Sequence, residues 1–496
     1  MRFFELLESR QLADATAPYV VTGTAGSDVI SVEPQQPPVL QPLGFRLRTL
    51  RENTILNGKA VRVTVNGVTT LASLASGQRI QINGLDGSDR ITVTGSRNVE
   101  INGGNGDDVI TGGAGNDVVR GGAGIDVLRG GPGDDVLYAD AGGDVVHGDA
   151  GDDRLYGGAG PDQLNGGDGA DTIVSIGGSA LDRAWGNAGY DSFWVDKAPG
   201  ERIEDANFSE MAINLHYVAS YALVNVNGVP AERLAWPRDP MRLGRLGSGT
   251  TNLPDPYAWD VPYRRFADRP LFNGGGPHPD DIKQQGLGDC YFLAGLSAVA
   301  KTAPNTIRQS VVDLGDGTYA VRFYDKQKVQ HYYRVDADLP AWTDGNPVYA
   351  GLGIGGAMWG PILEKTWAFF RKNHGSYASI IGGWSEHTYQ ALGLRTTIYA
   401  STTWNTPQKM VEAIMDLKNK GNSVTFGTRQ NPSVLVGLHV YSVDRVFSDF
   451  DGIAYVVLRN PWAIDGPNGD TVNDGYVTLR ADVLFGAYDQ VAGGRM

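Results

Sequence analysis

From Gly103 to Val174 the chain repeats with a period of nine: GGNGDDVIT, GGAGNDVVR, GGAGIDVLR, GGPGDDVLY, ADAGGDVVH, GDAGDDRLY, GGAGPDQLN and GGDGADTIV. The sixth position is aspartate in all eight units (Asp108, Asp117, Asp126, Asp135, Asp144, Asp153, Asp162, Asp171), and the eighth is always aliphatic. A short fixed period makes each unit build the same local structure and stack on its predecessor, so this stretch must be a solenoid. The glycines permit the positive φ angles of a tight turn, and three residues of strand follow with one aliphatic side chain inward. A flexible Gly/Asp linker has no reason to keep one position aliphatic eight times over.

The array holds 14 aspartates and three arginines with no glutamate or lysine, so it carries eleven of the chain's fourteen net negative charges. Without cations such a stack repels itself open. The nonapeptide resembles the calcium-binding β-roll repeat of RTX proteins. That resemblance implies two units per coil, with aspartates eighteen residues apart sharing calcium, a hard cation that takes oxygen ligands. The expected ligands are Asp108, Asp117, Asp126, Asp135, Asp153, Asp162 and Asp171. The fifth unit replaces its paired glycines by Ala139 and Asp140, and Asp144 is left out of the set. Weaker units at Gly23, Gly84 and Gly186 extend the coil beyond the regular block. Residues 30–100 alternate at period two, as in VRVTVNGVTTL, and are expected to be strands capping the roll. The predicted division is an N-terminal β segment over 1–100, the roll over 101–199, and a Pro- and Trp-bearing connector over 200–268.

The second half contains Cys290, the chain's only cysteine, in DDIKQQGLGDCYFLAGLSAVA. Gly286 and Gly288 make a turn before an apolar helical run, which places the thiol in the first turn of a helix. Unpaired N–H groups and the macrodipole favour a thiolate there. Among seven histidines, His439 stands out in the strand-like run VLVGLHVYSVDRVF, and a second run, GIAYVVLRNPWAIDG, ends at Asn460 before Pro461 and Trp462. Cysteine, then histidine, then asparagine is the order of a papain-like triad.

The flanks resemble calpains: QQGLGDCYFLAGLSA is similar to QG..GDCW.LAA, LHVYSV to GHAYSV, and LRNPWA to LRNPWG. MWGPILEKTWAFFRKNHGSYASIIGGW is similar to the end of the calpain Cys lobe. The resemblance spans about Leu271 to the C-terminus and implies a two-lobed α+β papain-like core, with a Cys lobe over 269–394 and a His/Asn lobe over 395–496. It implies a cysteine endopeptidase acting through a thioester, with Cys290 as nucleophile, ion-paired to His439, and Asn460 orienting the imidazole. Gln284, six residues before the cysteine, would supply the oxyanion donor, whereas Gln285 stands one residue too close. Trp462 would shield the His–Asn bond. Tyr291 departs from the family's tryptophan, and Leu438 and Val440 from its small residues. The resemblance also implies a calcium site in the core built by Asp281, the Gly276 carbonyl and Glu364; the loop with Asp465 and Asp470 differs too much to carry a second one.

Net charge of −14 argues against a nucleic-acid partner, so the expected partner is a protein or peptide substrate. No apolar run reaches the roughly 18 residues of a membrane span, and no EF-hand domain is expected. MRFFELLESRQLADA lacks the apolar core of a signal peptide and resembles an LESR.L tag of bacterial surface proteins. The RTX block makes an extracellular or cell-surface location the expectation, with the cytoplasm as alternative. The other readings are a catalytically inactive calpain-like binding module on an adhesive stalk, and a transglutaminase-type acyltransferase, which would place Asp where this chain has Asn460.

Overall fold

The computed structural model describes residues 18–34, 60–74, 78–176, 182–196, 202–203, 215–218, 261–273, 276–315, 317–371, 377–464 and 474–496. The chain divides into two compact units, Met1–Tyr221 and Ala222–Met496. Most of the 200–268 connector, the LESR.L tag, and Asp465 and Asp470 lie outside the described residues.

The first unit is a roll of two facing sheets. One has nine strands and the other ten, and strands of the repeat array alternate between them. Within a sheet, register advances by eighteen residues, as in Leu128↔Val146 and Leu137↔Leu155, so two nonapeptides make one coil. The eighth-position side chains, from Ile110 to Ile173, are fully buried between the sheets and form one continuous apolar column. Burying each contributes roughly 1.5–3 kcal/mol, and the array supplies one per strand. The turns demand glycine at the second position: Gly122 has φ +117°, and a Cβ there would lie 2.0 Å from the Gly104 carbonyl oxygen of the coil before. Asp140 and Asp149 take that place in two units with φ of +73° and +79°, a region that aspartate tolerates better than most residues.

Roll geometry begins well before the regular block. Tyr19–Thr22 pairs parallel with Ile80–Asp86, and Val29–Pro34 with Arg90–Val93. A hairpin, Ala60–Val65 and Val68–Ser73, adds antiparallel to Val29–Pro34 and closes that edge of the ten-stranded sheet. The weaker units at Gly23 and Gly84 are therefore part of the coil, with the hairpin at its edge.

The sixth-position aspartates form two columns along the roll. In one, Oδ1 of each aspartate accepts the backbone N–H of the aspartate one coil earlier, through Asp89, Asp108, Asp126, Asp144, Asp162 and Asp182. The other runs through Asp117, Asp135, Asp153, Asp171 and Asp191. Each interior Oδ2 is buried with no hydrogen-bond donor, from Asp89 to Asp171. The ends of the first column differ: Thr24 N–H donates to Asp28 Oδ2, and the Ser175 hydroxyl donates to Asp182 Oδ2 at 2.6 Å. Protein donors thus finish the column, while its interior leaves a row of buried acceptors that a cation must satisfy. These acceptors fit calcium, which binds through oxygen. Asp144, left out on sequence grounds, has the same environment as its neighbours, and Asp89 shares it.

Burial raises these carboxyls to about 6 for Asp108, Asp126 and Asp144, about 7 for Asp135, Asp162 and Asp171, and about 8 for Asp117 and Asp153. A metal-free folded roll therefore holds protons that the unfolded chain releases near pH 4. Its stability is fully present below that pH and is lost as pH rises through 6–8. In EGTA the roll should lose β signal between pH 5 and pH 8, calcium should restore it, and magnesium should not. Circular dichroism of the chain over that range tests this; an unchanged signal in EGTA at pH 8 would sink it.

Candidate active site

The second unit has two lobes. In the first, the helix Cys290–Thr302, buried from Tyr291 to Ala300, runs through a core that includes Phe292, Leu296, Trp359 and Trp367. The helix Trp359–Phe370 and a three-stranded antiparallel sheet pack around the same core. The second lobe is a six-stranded antiparallel sheet with the helix Pro407–Asn419 on its core. The buried helix is apolar on all sides, which is why it sits at the centre.

Cys290 is the first residue of its helix and half-buried. Its backbone N–H is among those a helix leaves without an intrahelical partner. The thiol lies against the backbone of Val440, the residue after His439, and the Val440 side chain packs on the Cys-lobe core. His439 is buried between the Tyr441 edge at 4.9 Å and the Trp462 ring at 4.5 Å.

The orientation of His439 follows from donor chemistry. Its Nε2 lies 2.9 Å from Asn460 Oδ1, and the Trp462 backbone N–H donates to that same atom at 3.1 Å. A backbone N–H needs an acceptor, so the atom is the amide oxygen. An oxygen can only accept from Nε2, so Nε2 carries the proton and Nδ1 keeps its lone pair. Burial pushes the Cys290 thiol up to about 11 and His439 down to about 4. Both shifts have one cause, desolvation, which works against the ion pair expected from the sequence and leaves an unprotonated Nδ1 as base.

Gln284 also approaches this site. Its backbone N–H donates to the Pro461 carbonyl at 2.7 Å, tying it to the residue after Asn460. Its Nε2 donates to the Leu287 carbonyl, which leaves the second amide hydrogen for another acceptor. Gln285 instead bonds the Tyr349 carbonyl through its backbone.

The departures from the family pattern keep backbone geometry. Leu438 has φ +51° and Ala463 φ +55°; these are the positions of glycine in GHAYSV and LRNPWG, and the left-handed turn survives without it. Tyr291 is buried, and its hydroxyl donates to the Ile380 carbonyl at 3.0 Å while accepting from the Trp367 indole at 2.9 Å.

The proposed core calcium ligands fall into separate networks. Asp281 accepts from His278 N–H, Ile354 N–H and the Trp359 indole at 2.7–2.9 Å, so protein donors already serve both its oxygens. A Cβ on Gly276 would meet the Arg308 guanidinium. Glu364 is buried, accepts from Ala350 N–H at 2.9 Å, and faces Asp289. Among the described residues, no group of three or more His, Cys, Asp or Glu side chains is placed to hold a metal ion.

Asp289, to which the sequence assigned no role, precedes the nucleophile and is completely buried. Burial raises it to about 7 against the hydrogen bond from Glu364, and burial followed by the Asp289 charge raises Glu364 well above its usual range. The folded pair holds protons at neutral pH, so its contribution is present below pH 4 and lost as pH rises through 7. Glu364→Gln supplies a permanent N–H donor to Asp289 and removes one titrating group. In saturating calcium, the fall in urea midpoint from pH 5 to pH 8 should be smaller in Glu364→Gln than in wild type. Identical pH slopes would show that the pair does not titrate as described.

With this geometry in place, the comparisons are specific. Residues 236–474 match the calpain family cysteine protease profile, and segments between 83 and 175 match the RTX calcium-binding nonapeptide repeat. Calpain-9 of Homo sapiens is 27% identical over 225 residues, covering 42% of this chain and 31% of that protein. The thiol protease of Porphyromonas gingivalis (strain ATCC BAA-308 / W83) is 25% identical over 259 residues, 45% of this chain and 52% of its own length. Calpain-type cysteine protease ADL1 of Oryza sativa subsp. japonica is 26% identical over 215 residues, 40% of this chain and 10% of its own. The chain thus spans from about a tenth to about half the length of these curated relatives. It carries a calpain-type cysteine protease domain at residues 236–474, with RTX calcium-binding repeats at residues 83–175 on its N-terminal side.

Proposed function

We propose that this chain is a calcium-dependent cysteine endopeptidase acting outside the cell or at its surface, with Cys290, His439, Asn460 and Gln284 as its catalytic set. The observation that supports the chemistry best is the doubly bonded Asn460 oxygen, which leaves His439 Nδ1 unprotonated on the side away from Asn460. The location rests on the RTX repeats.

The cycle begins as His439 Nδ1 takes the Sγ proton while sulfur attacks the scissile carbonyl carbon. This creates the imidazolium only when substrate brings a developing charge beside it. The carbonyl oxygen becomes an oxyanion and accepts from the Cys290 backbone N–H and the free amide hydrogen of Gln284. Collapse breaks the C–N bond, and the Nδ1 proton passes to the departing amine. Water, deprotonated by the same nitrogen, then cleaves the thioester and restores the thiol. Trp462 covers the His439 ring and keeps bulk water from the bond to Asn460. Calcium, when bound to the roll, supplies charge neutralisation for the aspartate columns and enters no bond-making step.

Cys290→Ala should abolish hydrolysis of a fluorogenic peptide while leaving circular dichroism unchanged, and His439→Ala should come close to that. Asn460→Ala should retain measurable turnover, because Asn460 orients the ring and exchanges no proton. Gln284→Ala should lower kcat by about 10²–10³. Wild-type turnover in Cys290→Ala would end the endopeptidase reading. Equal turnover in calcium and in EGTA would remove calcium dependence alone.

A further inference from the structure

The sheet of the His/Asn lobe carries a cross-strand row that the catalytic set does not use. Ser442, Arg459 and Tyr476 are direct register partners on three adjacent strands, so the pleat turns all three to one face. Each meets the Cys lobe. The Ser442 hydroxyl lies 3.3 Å from Ser297 Oγ, and the Tyr476 hydroxyl donates to Asp280 Oδ1 at 2.7 Å. Arg459 is buried and spreads its fork over three anchors. Nε donates to Asp280 Oδ1 at 2.7 Å, Nη1 to Ser297 Oγ at 3.2 Å, and Nη2 to the Ile282 carbonyl at 2.8 Å. Ser297 completes its own bonding by donating to the Pro279 carbonyl at 3.2 Å.

These contacts lie on the segments that carry the catalytic groups. Arg459 immediately precedes Asn460. Ser442 is on the strand Val440–Ser448 that starts directly after His439. Ser297 lies two turns along the helix that begins at Cys290, and Ile282 lies two residues before Gln284. We propose that Arg459 is a positioning residue that sets the register between the Cys290/Gln284 half and the His439/Asn460 half of the catalytic centre. The fixed planar geometry of guanidinium matters here, because one group reaches acceptors on a turn, a helix and an extended segment at once. A lysine supplies the charge but cannot span them. The pairing also settles the charges: the carboxyl of Asp280 is held below its ordinary range by the Tyr476 and Arg459 hydrogen bonds, so the cation has a permanent partner.

The proposal rests on the endopeptidase reading, but it has a readout that needs no substrate. In the full chain with saturating calcium, the rate of Cys290 alkylation by iodoacetamide against pH reports how well His439 activates the thiol. Arg459→Met and Arg459→Lys should both slow alkylation, and their pH profiles should approach that of His439→Ala. Peptide kcat should fall about 10²-fold, the cost of a misplacement near 1 Å, with KM held within about twofold. Asp280→Asn keeps an acceptor for Nε and should lose much less. A merely structural role would lower the urea midpoint and leave the alkylation profile and kcat where they are; that result in a folded Arg459→Met would overturn the proposal. Should Arg459→Met fail to fold, Arg459→Lys decides, and wild-type alkylation by it is equally fatal. If the wild type cleaves no peptide, the endopeptidase reading fails, while the alkylation profiles still judge the register claim.

Discussion

Removing a carboxylate from water is the constraint on which both units of this chain depend. Each interior sixth-position aspartate of the roll is buried with one oxygen bonded to the coil before it and, from Asp89 to Asp171, the other left without a donor. Glycine turns force this arrangement, because they bring the carboxyl inside the coil at the point where the backbone reverses. The apolar column between the sheets holds the coils together, but it cannot offset two columns of ionised carboxylates in which each repels its neighbours one coil away. Protons or calcium must. The roll is therefore a structure whose stability is set from outside, by cation and pH.

The protease unit meets the same constraint with different means. Asp280 is answered by Arg459 and Tyr476, and Asp281 by three N–H donors. Asp289 and Glu364, with no cation beside them, answer each other by holding protons. Burial acts on the thiol and imidazole in the same sense, raising one and lowering the other. Asp281, expected from the sequence as a calcium ligand, already accepts three hydrogen bonds within its own fold. The bonds that close the two lobes on each other are hydrogen bonds and ion pairs, including Lys301 to Asp444 and the Arg459 fork.

Catalytic geometry is consequently a product of how the lobes meet. Asn460 fixes the tautomer of His439 from within one lobe, but whether Nδ1 reaches the thiol depends on the contacts between lobes. Val440 contributes its backbone to the thiol and its side chain to the Cys-lobe core. Gln284 is held by the Pro461 carbonyl from the opposite lobe. Both left-handed residues, Leu438 and Ala463, sit beside these crossing points, where the chain must turn sharply to present the histidine and the asparagine.

The sequence by itself determined the roll, its period and its buried aliphatic column, because a nine-residue repeat admits one stacking solution. It also determined the nucleophile helix and the Cys–His–Asn order, since apolar runs and motif spacing are local properties. Burial was not legible there. Motif spacing suggested an ion-paired thiolate, whereas burial in the fold shifts the thiol up and the imidazole down. Asp144 looked defective beside Ala139 and Asp140, yet coil-to-coil hydrogen bonds give it the environment of its neighbours. Asp289 and Arg459 stand inside the GDC and LRNPWA runs and Tyr476 outside any motif, but nothing local names their partners, which lie 75 to 196 residues away in sequence. Only the tertiary structure decided those, since the energy of a buried charge is set by whatever the fold brings within hydrogen-bond reach.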